Sequence, residues 1–157
     1  MEKKTIKAIL DVIKDVSDRP GLYGCAIERQ FIYFTDGYVV VRLEMNQYDG
    51  LRPIINEGGV WVSGEQLKED YKSLGARDIQ LTFKNAGGEN HPNWAKLWEQ
   101  WSNAEPTADP VPIRPETFKK LAPFGDMLMT ITENKLGQKL VAFTGKGVNA
   151  FACPLAK

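Results

Sequence analysis

Apolar positions recur at helical spacing over Thr5–Val16, where Ile6, Ile9, Leu10, Ile13 and Val16 fall on one side. Lys7, Asp11, Lys14 and Asp15 are left for the other. Asp18-Arg19-Pro20-Gly21 ends this helix, because Pro20 disfavours helical geometry at Arg19 and Gly21 breaks the pattern. The period then changes. Leu22–Glu28 reads as a strand, Arg29-Gln30 as a tight connection, and Gln30–Met45 as two β-branched and aromatic runs around Asp36-Gly37. That dipeptide between such runs predicts an antiparallel hairpin, with Gly37 free to take positive φ and Asp36 bonding back to the nearby backbone.

A polar connection follows over Asn46–Gly59. Val60-Trp61-Val62 is a short strand running into Ser63-Gly64-Glu65-Gln66, where Ser63 and Gln66 have the spacing of a capping box. The helix opened there carries Leu67, Tyr71 and Leu74 as its buried stripe, with Gly75 as its cap. Asp78–Phe83 alternates as a further strand, and Lys84–Pro92 is a turn-rich loop. Trp94, Leu97, Trp98 and Trp101 then repeat at i, i+3, i+4, i+7, predicting a short helix. An aromatic stripe at that spacing is a packing face in most helices; a base-stacking platform is the alternative. Asn103–Pro112 reads as a linker.

The last stretch repeats the first. Pro115 suits a first helical position, Phe118 and Leu121 are expected to point inward, and Pro123 with Gly125 closes the helix. Met127–Thr132, Lys139–Thr144 and Val148–Cys153 read as three strands. Phe34-Thr35-Asp36-Gly37 and Phe143-Thr144-Gly145-Lys146-Gly147 are echoes at the same place in the two units. The fold class expected is therefore α+β, with antiparallel meanders, two helix-plus-three-strand units and their helices on one side. One domain spans 1–157: a first unit over 1–59, a middle part with the tryptophan helix over 60–110, and a last unit over 111–157. Ile9, Ile13, Phe34, Val41, Leu67, Leu81, Leu121, Ile131 and Phe143 are the expected core.

Composition narrows the function. With 43% hydrophobic and 25% charged residues the chain of 157 residues is ordinary for a globular protein. No apolar run reaches a membrane span and Met1-Glu2-Lys3-Lys4 lacks the apolar core of a signal peptide, so no membrane and a cytoplasmic location are expected. Cys25 and Cys153 are read as buried free thiols of a reducing compartment. A single histidine, His91, excludes multi-histidine metal sites. No phosphate loop, nucleophile elbow or paired-carboxylate spacing is present, so no catalytic residues, metal or cofactor are expected. The net charge of zero hides a split: acidic residues outnumber basic ones over 1–110, and the reverse holds over 111–157. That favours an anionic partner for one face of the last unit, though surface solvation accounts for it nearly as well.

The order of pieces resembles a bacterial-type DNA sliding clamp, the processivity factor of replicative polymerases. Thr35-Asp36-Gly37-Tyr38 with Arg42, the short strand Val60-Trp61-Val62-Ser63 into a helix, His91-Pro92-Asn93-Trp94 through Trp98, and the closing Phe151-Ala152-Cys153-Pro154-Leu155 carry the resemblance. The chain departs from it in being far shorter than a three-domain clamp, in its neutral charge, and in the missing hairpin of Val60–Phe83. A phage or prophage version of the family fits that size. The resemblance implies double-stranded DNA and a polymerase or other replication protein as partners, and a homo-oligomer. Helices of such clamps face the duplex backbone and need cations there. The candidates are Lys3, Lys7, Lys14, Lys68, Lys72, Arg114, Lys119 and Lys120, with Trp94, Trp98 and Trp101 for a protein partner. Acidic neighbours Asp11, Asp15, Glu69 and Asp70 dilute the field. The alternative is an interaction module or inhibitor of the same fold that does not touch DNA.

Overall fold

The computed structural model describes residues 3–45, 60–73 and 92–155. The expectations for Asn46–Gly59, for Leu74, Gly75 and the strand Asp78–Phe83 with Leu81, and for the loop holding His91, lie outside the described residues. In chain order the elements are α1 (Lys3–Ile13) with a 3-10 turn (Lys14–Val16), β1 (Gly24–Glu28), β2 (Phe31–Thr35), β3 (Val39–Glu44), β4 (Val60–Ser63) and α2 (Gly64–Ser73). After these come α3 (Trp94–Ser102), β5 (Glu105–Pro106), α4 (Pro115–Leu121) with a 3-10 turn (Ala122–Phe124), β6 (Met127–Glu133), β7 (Lys139–Gly145) and β8 (Val148–Ala152). The expected α+β class, the two helix-plus-three-strand units and the antiparallel meanders are all present.

The strands form one eight-stranded sheet in the order β4-β1-β2-β3-β8-β7-β6-β5, and every described pairing is antiparallel. The two units join where β3 lies against β8, with Val41 opposite Ala150 and Leu43 opposite Val148. Alternation decides which residues face the helices. Val39, Val41 and Leu43 of β3 and Val148, Ala150 and Ala152 of β8 are buried, while Val40, Arg42 and Phe151 go to the other face. A one-residue slip would exchange these two sets, so burial itself fixes the register.

Helices α1, α2 and α4 cover one face, with α1 packed against α2 on one flank and against α4 and its 3-10 turn on the other. Ile6, Ile9, Val12 and Ile13 of α1 and Val16 of the turn after it meet Phe34, Val41 and Leu43 there, together with Leu67 and Leu121. Helix α3 lies on the opposite face, where Trp94 and Trp98 pack with Ala26, Tyr33 and Trp61. The sheet therefore has two cores of different make-up, one aliphatic and one aromatic.

Local chemistry accounts for the joints. Gly37 sits at φ 95°, its N–H donates to Thr35 Oγ1, and Thr35 Oγ1 donates to the carbonyl of Val39 at 2.7 Å. Asp36 Oδ1 accepts from the N–H groups of Tyr38 and Val39, both at 2.8 Å. The Thr-Asp-Gly sequence thus closes the hairpin through side chains as well as backbone. Arg29, at φ 56°, turns the chain between β1 and β2. Ser63 caps α2 by accepting from Gln66 N at 3.1 Å, but the Gln66 side chain bonds Asp70 instead of reaching back, so half of the capping box is made.

Several expectations are corrected. Ile131 is half-buried, because β6 lies towards the sheet edge, past the part that α1 and α4 cover. For the same reason Phe118 is not inward: it meets Phe143 edge-to-face at 6.0 Å and stays 48% exposed. Asn103–Pro112 is more than a linker, since Glu105 and Pro106 pair with Glu133 and Thr132. Cys25 is buried, and that burial, aided by Asp70, pushes its thiol up to about 12. Cys153, one residue past β8, is exposed.

Two stability outcomes follow. Gly37→Val should cost about 1–2 kcal/mol or more in denaturant melts. The cause is conformational, since an added Cβ would meet neighbours no closer than 3.5 Å. Leu67→Ala, at a fully buried position linking α2 to the aliphatic core, should cost about 2–5 kcal/mol; a loss under half a kcal/mol would contradict this packing.

Candidate nucleic-acid interface

The three helices on one sheet face carry the basic residues singled out in the sequence. Lys7 is exposed on α1 and pairs with Asp11 at 3.1 Å, an i, i+4 contact of the weak surface kind. Lys3 lies over the Tyr71 ring of α2 at 4.6 Å, tying the two helices together. Lys14 is exposed in the turn after α1, and Lys68 and Lys72 are exposed on α2. Lys68 stands over the Tyr23 ring at 5.4 Å, and a hydrogen bond with the Tyr23 hydroxyl raises its pKa. On α4, Lys119 is exposed. Arg114, just before that helix, stacks on Tyr38 with its guanidinium carbon 4.0 Å from the ring centroid.

Lys120 is placed differently. Its ammonium makes two contacts of 2.6 Å, to Asp15 Oδ2 and to Asp36 Oδ2, and its side chain is 10% exposed. Held by two carboxylates, it is not available to a phosphate, so Lys120 is corrected as a candidate DNA contact. Lys120 enters as a candidate because the resemblance implies that its helix faces DNA. The acceptor that draws it inward lies on another unit, which neither the resemblance nor the local sequence reveals. Burial alone lowers the Lys120 pKa, but hydrogen bonds to Asp15 and Asp36 outweigh it and hold the ammonium above its ordinary value. The Lys120 hydrogen bond likewise holds the Asp15 carboxyl below 3.8, with burial opposing.

The field of this face is mixed. Helix α1 with its turn carries four lysines against two aspartates, α2 two lysines against three carboxylates, and α4 two lysines against one glutamate. Cations are in modest excess, concentrated on α1 and α4.

The tryptophan helix is committed inward. Asn93 caps it by accepting from Lys96 N at 3.2 Å. Trp94 and Trp98 are buried; Trp98 packs on Phe151 at 4.8 Å and edge-on to Tyr33 at 5.9 Å. Trp101, half-buried against Phe151 at 5.8 Å, is the one of the three with an open side. Sequence reasoning missed a different apolar surface. Leu128 is 78% exposed, Met129 and Phe118 about half, and β5 pairs with only the last two residues of β6. The signal was the unbroken run Met127-Leu128-Met129, which does not alternate as a strand with one solvent face should.

No family model and no curated protein matches the chain. Among solved structures, the DNA polymerase sliding clamp from Bacillus subtilis matches over 100% of this chain, with a TM-score of 0.56 and 15% identity. The fold is that of the bacterial sliding clamps. The DNA polymerase III subunit beta from Borrelia burgdorferi, solved in complex with a natural product, matches over 99% of the chain with a TM-score of 0.54 and 10% identity. The chain covers 64% and 63% of these two clamps, less than two thirds of either. Among the described residues no helix is long and apolar enough to cross a membrane, and no group of three or more potential metal ligands occurs.

The buried ion pair gives two measurable outcomes. Lys120→Met should destabilise by about 3 kcal/mol, because Asp36 is left charged and buried, and adding Asp36→Asn should recover most of the loss. In an NMR titration the Asp15 pKa should rise towards 3.8 in Lys120→Met. A carboxyl held low stabilises the fold at pH above its unfolded value and loses that contribution as pH falls through the folded one. An ammonium held high loses its contribution only as pH rises through its raised value. The part that Lys120 contributes should therefore span the pH range between these two limbs and vanish in the variant.

Proposed function

We propose that the chain is a non-enzymatic, clamp-like protein that associates with duplex DNA and with a replication partner, as a processivity factor does. The observation that supports this reading best is the arrangement of α1, α2 and α4 side by side on one sheet face, presenting Lys7, Lys14, Lys68, Lys72 and Lys119 outward, in a molecule with the sliding-clamp fold. Lysines spread over a helical layer suit contacts to a phosphate backbone, which are electrostatic and independent of sequence. Lys3 and Arg114, held over Tyr71 and Tyr38, flank that layer. The cation excess is small, so a single copy binds weakly, with dissociation constants on the order of 10⁻⁴ to 10⁻⁶ M.

Assembly of several copies supplies the rest of this reading. One sheet of eight strands does not surround a duplex, and the free edge of β6 beside exposed Leu128, Met129 and Phe118 offers a place for a second copy to add. A cytoplasmic setting and a phage or prophage role agree with it. The second reading, an interaction module that keeps the fold without DNA, draws support from the same apolar edge and from the mixed charge of the helical face.

The discriminating experiment is a DNA titration at several salt concentrations. Each phosphate contact should contribute about 0.9 to the log–log salt slope. Lys7→Glu, Lys14→Glu and Lys119→Glu together should abolish binding while changing stability by less than about 0.5 kcal/mol, as surface substitutions do. No association at low salt favours the interaction module, whereas association unaffected by the triple substitution places the DNA contact away from these lysines.

A further inference from the structure

On the sheet face away from α1, α2 and α4, the register sets Arg42 of β3 opposite Asn149 of β8, and Asn149 opposite Thr144 of β7. Side chains paired in this way stand about 5 Å apart, so three polar groups form a row across three strands. Trp98 and Trp101 of α3 and Phe151 of β8 wall a hollow of about 300 Å³ over that row. Among the described residues no carboxylate lines it.

Arg42 is held in place by its neighbours, with Tyr33 in side-chain hydrogen-bond contact. Its guanidinium carbon stands 4.2 Å from the Phe31 centroid and 4.6 Å from that of Trp98, so the plane is held by aromatic rings. With the Asn149 amide turned so that its oxygen faces the guanidinium, Arg42 Nη2 donates to it at 3.3 Å. Arg42 Nε is buried and has no hydrogen-bond partner among the described residues. A buried cationic N–H without an acceptor is unfavourable, and an anion close to the guanidinium would offset part of that cost.

We propose that this hollow is a binding site for a carboxylate borne on an apolar group. A carboxylate only accepts, and its two oxygens suit the paired N–H groups of a guanidinium. Asn149 and Thr144 continue the polar row past the arginine, and the tryptophan and phenylalanine rings take the apolar part. The volume suits a small free acid or the last residue of a peptide chain. The site lies on the opposite face from the lysines and stands whether or not the chain binds DNA.

The test uses the full chain and two probe pairs: 3-phenylpropionate against 3-phenylpropionamide, and acetyl-Ala-Ala-Phe with a free C-terminus against its C-terminal amide. Binding is read from the NMR signals of Arg42 Nε–H and Trp101 Nε1–H. The acids should shift both signals saturably at millimolar concentrations, and the amides should bind at least about tenfold more weakly. Whichever acid binds tighter identifies a metabolite-like or a peptide source. Arg42→Gln should lose a similar factor. Ala142→Trp, which fills the hollow without altering the arginine, should abolish binding with the melting temperature kept, and it decides the matter if Arg42→Gln does not fold. Equal binding of acid and amide, no saturable shift by either acid, or binding that survives Ala142→Trp would overturn the proposal.

Discussion

Asp36 ties together three separate parts of this fold. One of its oxygens holds the N–H groups of Tyr38 and Val39 and so shapes the β2–β3 turn. The other meets Lys120 of the last unit, which also reaches Asp15 after α1. A charged carboxylate that is 4% exposed is tolerable only with such partners. Its burial therefore requires α4 to sit where Lys120 can reach it. The hairpin of one unit, the end of the first helix and the helix of the other unit are fixed together by one cation between two anions.

The sheet makes the same junction in a different way. Strands β3 and β8 pair across the units, so a single hydrogen-bonded ladder runs through both. Because the alternating residues of both strands face α1 and its neighbours, hydrophobic burial and hydrogen bonding demand the same register. The ion pair lies on the helical side of this seam. It brings α4 alongside α1.

The two sheet faces differ in make-up. The helical face is aliphatic inside and carries lysines and carboxylates outside. The other face is aromatic, with α3 laid over Tyr33 and Phe151, and it leaves a hollow beside the tightly held Arg42. The helical layer ends before β6, and there apolar residues stay uncovered. Exposed lysines, a walled polar row and an open apolar edge thus occupy separate places.

Period and turn chemistry were enough to determine α1, the three strands of each unit, the Asp36-Gly37 hairpin, the Ser63 cap and the Pro115 start of α4, because each rests on contacts within a few residues. They also carried the resemblance to sliding clamps, which is a resemblance in the order of such pieces. The inward turn of Lys120 rests on Asp36, 84 residues away in the chain. The exposure of Phe118 and Leu128 depends on where the helical layer ends, and the side of the sheet taken by α3 depends on which face the other helices had already filled. Arg42 read as one basic residue in an apolar strand until Phe31, Trp98 and Asn149 surrounded it. Local patterns set what each segment becomes, whereas the charge available on a surface and the hollows within it are set by partners distant in sequence, and only tertiary packing brings those together.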